Sequence, residues 1–280
     1  MMDAAESFDR ERPRLVGIAY RMLGTMADAE DAVQECFLRF RRTDPATLES
    51  PNAFLTTVVT RVCVDLLRAA RVRRDAYTGP WLPEPIRSES VADVDSIRMA
   101  FLVVLETLSP EERAVYLLCE VFDYSHNEVA AILGKSTEAC RQVLHRARRR
   151  VAVRQSRFVP SREAHTHIVE AFLLSCQTGH IAGIRALLAD DVVACSDGGG
   201  KVTAARRPVT GSYAVARLLA GLARHASPGT TIEITEMNGD PSVVARVDGR
   251  VDTVLLLEVG ADLKVHAVRV VRNPEKLARL

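Results

Sequence analysis

The sequence predicts a multidomain protein in which two all-α units precede an α+β domain. Three observations carry this. Apolar residues recur at helical spacing through residues 8–75 and again through 96–155. A proline-rich stretch, "YTGPWLPEP" at 77–85, separates these runs; it cannot be a regular helix or a central strand. Beyond residue 230, short apolar runs are divided by "NGDP", "DGR" and "GAD", which is turn chemistry between strands.

The first unit, residues 1–76, reads as helices throughout. "LVGIAYRML" has apolar positions on one side. After Gly24 and Thr25, "ADAEDAVQECFLRFRR" forms a second helix, with Val33, Phe37 and Phe40 on its inner face and acids in its first turn, where the helix dipole favours them. "SPNAFLTTVVTRVCVDLLRAARVRR" forms a third, with Ser50 as N-cap and Pro51 as first helical residue. Leu55, Val58 or Val59, Val62 and Leu66 recur on its inner side. Residues 77–95 form the linker, ending in the polar tract "RSESVADVD".

The second unit, residues 96–157, ends in "YSHNEVAAILGKSTEACRQVLHRARRR". Ser125 and Glu128 have capping-box spacing, Gly134 allows a tight turn, and Ser136 or Thr137 caps the next helix. This is the grammar of a helix-turn-helix, whose second helix enters the DNA major groove. Its early polar residues, Thr137, Glu138, Arg141 and Gln142, are placed to meet base edges. His145, Arg146, Arg149 and Arg150 follow toward phosphates.

After Pro160, "EAHTHIVEAFLLSCQTGHIAGIRALLADD" reads as two helices split near Gly179. "VVACSDGGGKV" is a strand running into a glycine turn, and "GSYAVARLLAGLARHA" is another helix. Four strands follow at about 230–236, 242–247, 251–259 and 263–271. Residues 160–280 thus form an α+β domain.

Composition excludes several classes. No apolar run reaches the ~18 residues that span a membrane. The N-terminal "MMDAAESFDRERPR" lacks the apolar core of a signal peptide, so a cytoplasmic protein is expected. The 6 cysteines are far apart with no zinc-ligand spacing; they predict reduced, mostly buried thiols, and neither metal nor cofactor is expected. The net charge of +1 conceals strong local bias. Residues 139–154 hold 6 arginines and no acid, whereas 28–35 hold 4 acids and no base. Such asymmetry implies several different partners.

"RLVGIAYRMLGTMADAEDAVQECFLRF" resembles region 2, and "LSPEERAVYLLCEVFDYSHNEVAAILGKSTEACRQVLHRARRRV" resembles region 4, of small extracytoplasmic-function sigma factors of the sigma-70 family. "GPWLPEP", "DGGGK" and "NPEKL" resemble the marks of one class whose C-terminal domain is SnoaL-like, a cone of the nuclear transport factor 2 type. The resemblance implies a promoter-specific initiation factor without enzymatic activity. Asp28, Asp31, Gln34, Glu35 and Arg39 would dock on the β′ clamp helices of core RNA polymerase. Asn52, Arg61, Asp65, Arg68, Arg71, Arg73 and Arg74 would bind the −10 promoter element. The chain departs from many relatives in having Arg61 in place of Asn and Phe54 in place of Trp. Ser136, Thr137, Glu138, Arg141, Gln142, His145, Arg146 and Arg149 would bind the −35 element.

A third set, Trp81, Leu82, Pro83, Asp197, Gly198, Gly199, Gly200, Lys201, Asn273 and Pro274, is expected to join the C-terminal domain to the linker as a regulatory latch. A tryptophan in such a contact can bury about 150–250 Å². A small-molecule effector and a separate anti-sigma protein are further candidate partners; no membrane is. The alternative function is a DNA-binding regulator whose SnoaL-like domain senses a ligand or retains catalysis, through His167, Asp197 and His266.

Overall fold

Helix α1, Ala4–Leu23, starts well before the apolar stretch that predicts it and includes Pro13. Phe8, Leu15, Ile18, Ala19 and Met22 line its buried side. The computed structural model describes residues 4–44, 47–48, 50–75, 77–87, 97–154 and 160–280. Helix α2, Met26–Arg41, is capped by Thr25, whose side chain accepts from the Asp28 N–H. It buries Ala29, Ala32, Val33, Cys36 and Phe40. Phe37 is only half-buried and sits 4.8 Å from Phe8, ring centroid to centroid. In α3, Pro51–Asp75, both Val58 and Val59 are buried, and Leu67 replaces the expected Leu66 as a fully packed residue. The reason is that α3 packs against α1 and α2 on one side and α5 and α6 on the other, which widens its apolar stripe.

Helices α4, Met99–Leu105, and α5, Pro110–Glu120, precede the helix-turn-helix. Ser109 and Glu112 close a capping box on α5, and Ser125 and Glu128 close another on α6, His126–Leu133. Gly134, at φ 64°, ends α6 in the left-handed region. Helix α7 follows as Thr137–Arg154.

The chain divides into two compact units. The first comprises residues 1–75, 91–97 and 101–155; the second comprises 76–90, 98–100 and 156–280. Most of regions 2 and 4 of the resemblance therefore falls in one unit, whereas the described linker residues 77–87, together with 98–100, fall with the C-terminal domain. Arginines tie the first unit together. Arg113, buried on α5, donates to the Met22 carbonyl at 2.7 Å, to the Leu105 carbonyl at 3.0 Å and to Glu106 at 2.7 Å. Arg14 donates to the hydroxyls of Tyr124 and Thr56, at 2.7 and 3.0 Å.

In the second unit, α8 (Arg162–Gln177), α9 (Ile181–Leu187) and α10 (Ser212–Arg224) cover one face of a mixed sheet. Its strands are β1 (Leu188–Asp197), β2 (Val209–Thr210), β3 (Thr230–Met237), β4 (Asp240–Val247), β5 (Arg250–Val259) and β6 (Val265–Val271), in the order β2-β1-β6-β5-β4-β3. β1 and β6 are parallel; the other pairs are antiparallel. The two-residue β2 has too little pattern to be legible in sequence. Val169, Phe172, Val192, Ala194, Leu219, Val268 and Val270 form the core under the helices. Side chains alternate along each strand, so Asp197, Val254, Leu256 and Val271 lie on the other face, yet they too are buried. This α+β layout, with one helix-covered face and a second buried face, is the SnoaL-like architecture the resemblance implies.

Candidate functional site

The second sheet face is where the linker binds. Ile86 exchanges two backbone-directed hydrogen bonds with Asn238: the Asn238 N–H donates to the Ile86 carbonyl at 2.8 Å, and the Ile86 N–H donates to Asn238 Oδ1 at 3.1 Å. Arg87 pairs with Met237 as an isolated antiparallel bridge. The proline-rich segment is thus laid against the end of β3, stiff and extended as its composition dictates.

At the other end of the linker stands Asp197, the last residue of β1, fully buried. Its Oδ1 accepts from the Tyr77 hydroxyl at 2.6 Å and from the Gly199 N–H at 3.0 Å. Its Oδ2 accepts from the Leu82 N–H at 2.9 Å and from Lys276 Nζ at 2.7 Å. Lys276 also donates to the Leu82 carbonyl at 2.5 Å and lies 4.0 Å from the Trp81 ring centroid. A carboxylate and an ammonium removed from water are stabilised only with every lone pair and proton engaged, and here they are. The cation on the indole face adds an attraction that grows as water is excluded. Asn273 donates to the Tyr77 hydroxyl at 3.0 Å and caps α11, Pro274–Leu277, by accepting from the Glu275 N–H at 3.1 Å. Burial, then the hydrogen bond and charge of Asp197, push the Tyr77 phenol above its ordinary pKa, so it stays a donor.

The glycine run is explained by close approach. A Cβ on Gly198 would lie 2.6 Å from the Val202 carbonyl oxygen, and one on Gly199, at φ 62°, would lie 2.5 Å from the Asn273 amide. Lys201 pairs with Glu275. So the structure brings together Trp81, Leu82, Asp197, Gly199, Lys201 and Asn273 of the expected set, with Gly198 and Gly200 shaping the loop. Pro83 is buried and Pro274 is exposed at the first position of α11. Sequence reasoning missed Tyr77, Asn238 and Lys276. Tyr77 opens the linker motif and Lys276 lies inside "NPEKL", so proximity to those motifs was the available signal. Nothing local marked Asn238 beyond its turn.

On α7, Glu138, Arg141, Gln142, His145, Arg146 and Arg149 are exposed, and Ser136 caps the helix by accepting from the Ala139 N–H at 3.2 Å. Thr137 is half-buried and donates to Asn127 at 2.9 Å. Arg141 lies 3.6 Å from Glu138. Arg146 and Arg150 reach back to Glu112, at 3.9 and 2.6 Å. On α2, Asp28, Asp31, Gln34 and Arg39 are exposed and Glu35 is half-buried, paired with Arg39 at 2.8 Å. On α3, Asn52, Arg61, Asp65 and Arg68 are exposed. Arg61 donates to the Ile132 and Ala131 carbonyls at the end of α6, at 2.7 and 3.4 Å. Arg68 pairs with Asp65 and with Glu111 of α5. The side chains of Arg71, Arg73 and Arg74 lie outside the described residues.

The three groups weighed for catalysis do not converge. His167 is exposed on α8, His266 pairs with Asp262 at 3.0 Å, and Asp197 is held by the linker. Among the described residues there is no metal-binding cluster and no helix long and apolar enough to cross a membrane.

Comparison with known proteins matches residues 7–73 to sigma-70 region 2 and residues 98–151 to sigma-70 region 4. The ECF RNA polymerase sigma factor SigJ of Mycobacterium tuberculosis is 38% identical over 237 residues, covering 81% of this chain and 75% of that one. The probable ECF RNA polymerase sigma factor SigI of the same species is 30% identical over 277 residues, covering 95% of this chain and 92% of that one. The crystal structure of Mycobacterium tuberculosis SigJ is similar with a TM-score of 0.79, at 33% identity and 98% coverage of both chains.

Proposed function

The chain belongs to the extracytoplasmic-function RNA polymerase sigma factors, alternative factors for transcription initiation, and from that premise we propose that its C-terminal domain regulates initiation by holding the linker between regions 2 and 4. The observation that carries this is Asp197, a buried carboxylate whose partners include Tyr77 and the Leu82 N–H of the linker. Regions 2 and 4 read promoter elements that lie a fixed distance apart. A domain that fixes the conformation of the intervening segment biases the separation they can reach. Its effect on initiation follows from a difference in that contact between free and polymerase-bound states.

In the same reading, the exposed acidic face of α2 docks on the β′ clamp helices of core polymerase, where opposite charge steers association. The α3 set (Asn52, Arg61, Asp65 and Arg68) contacts the −10 element, and the outer face of α7 contacts the −35 element. Arg61 and Arg68 hold α5 and α6 in the described unit, so reaching −10 DNA requires them to exchange protein partners for nucleic acid.

The test is a double-mutant cycle in reconstituted, promoter-dependent transcription with the full-length chain. Trp81→Ala and Asp197→Ala each alter transcript yield, and the double variant resembles either single one, because both break the same contact. Strictly additive effects, or unchanged yield in both, would show that the linker and the domain do not communicate.

A further inference from the structure

Beside the linker contact the second unit has a pocket of about 350 Å³, lined by Thr78, Ser196, Gly198, Gly200 and residues 201–206. We infer that this pocket is a binding site for a small organic oxyanion, a molecule carrying a phosphate or carboxylate group. It goes beyond the regulatory reading and is tested by binding alone, so either can fail without the other.

Four observations converge on that ligand chemistry. The volume lies within the range of small-molecule sites and exceeds what a bare phosphate fills. The lining has cations, Lys201 and Arg206, and no carboxylate pointing in from its own residues; Asp197 beside it has both oxygens engaged elsewhere. Arg206 is exposed and has no ion-pair or hydrogen-bond partner among the described residues. Ser196 is buried, and its hydroxyl likewise has no hydrogen-bond partner among them. An uncommitted guanidinium and the hydroxyl-bearing Ser196 and Thr78 in the lining supply the donors an oxyanion needs.

Lys201 is held by Glu275 just outside the pocket. That pairing sets a sign. A bound anion competes with Glu275 for Lys201, so removing the Glu275 charge should tighten binding rather than weaken it. Thr78 belongs to the linker and its hydroxyl lies 3.1 Å from where a Cβ on Gly200 would be. The ligand therefore spans the linker and the glycine loop, and its binding stabilises their contact by mass action.

The experiment is isothermal titration of the full-length chain with inorganic phosphate, pyrophosphate and citrate in separate arms, each against sodium chloride of matched ionic strength. Saturable binding in the phosphate arms assigns a phosphate ligand; saturable binding of citrate assigns a carboxylate. In either case Arg206→Ala, at an exposed unpaired position, weakens affinity about tenfold, Ser196→Ala weakens it less, and Glu275→Gln tightens it. The proposal is overturned if no arm gives saturable binding up to about 10 mM, if sodium chloride gives the same signal, or if Arg206→Ala leaves affinity unchanged.

Discussion

Asp197 illustrates how one side chain can fix the path of a proline-rich segment. A buried ion pair adds little net stability over an apolar pair of similar shape, but removing one partner strands the other. Asp197→Ala removes the carboxylate that pairs with Lys276, which stays buried against Trp81. The expected loss is about 3–5 kcal/mol of C-terminal domain stability. Denaturant unfolding followed by fluorescence of Trp81, the only tryptophan, measures it directly, with a red-shifted native spectrum accompanying release of the ring. Stability within about 0.5 kcal/mol of the parent would contradict the hydrogen-bond geometry. On α7, which the proposed reading places at the −35 element, Arg141 and Arg149 are both exposed but differ in place. Arg141→Ala should cost about 1–3 kcal/mol of −35 affinity and relax base preference, whereas Arg149→Ala should weaken all sequences alike and reduce the salt slope by about 1. Titrations of promoter and scrambled duplexes at several salt concentrations separate the two.

Among the elements, α8 carries a titratable group that the resemblance gave no reason to notice. His165 is buried, with Nε2 3.1 Å from the Leu257 carbonyl oxygen and Nδ1 3.7 Å from Asp240, which is itself paired to Arg98 at 2.8 Å. Burial lowers its pKa; the Leu257 carbonyl pulls it back up, and the Arg98 charge lowers it further. The unfolded chain therefore binds this proton more readily than the folded one. Stability from this group is full above the unfolded value of about 6.5 and declines as pH falls below it. His165→Gln should flatten that decline. Denaturation midpoints at several pH values between neutral and about pH 5 test it; a parent and variant with parallel profiles would refute the assignment. The helix-turn-helix, by contrast, has its geometry written locally. Two capping boxes and a left-handed Gly134 specify where α5 and α6 start and where α6 stops.

At the scale of the whole molecule, the proposed reading gives different faces to different partners. The acidic face of α2 and the arginine-rich α7 account for most of the local charge bias that a net charge of +1 conceals. Charge reversal at Asp31 and Glu35 should weaken association with core polymerase by at least about tenfold while leaving duplex binding by α7 intact. Co-purification with core enzyme and a −35 duplex titration on the same variant distinguish these outcomes. Equal association of parent and variant with core would remove this face from the polymerase interface.

What the sequence determined by itself is what short-range physics encodes. Helical periodicity, Ser125 and Glu128 three residues apart, Gly134 at a turn, and alternating strands after residue 230 all act within a few residues. So the helical units, the helix-turn-helix and the α+β domain were legible, as was the expectation that Trp81 meets the C-terminal domain. The tertiary structure alone decided which groups make that contact. Tyr77 and Asp197 are 120 residues apart, and Lys276 and Leu82 are 194 apart. No local pattern links them, because the strand order brings the end of β1 beside α11 only after the sheet has formed. The same holds for Arg61, read as a DNA contact and found on the carbonyl end of α6. A guanidinium is attracted to phosphate oxygens and to unsatisfied helix carbonyls alike, so its residue type did not reveal the carbonyls that packing places beside it.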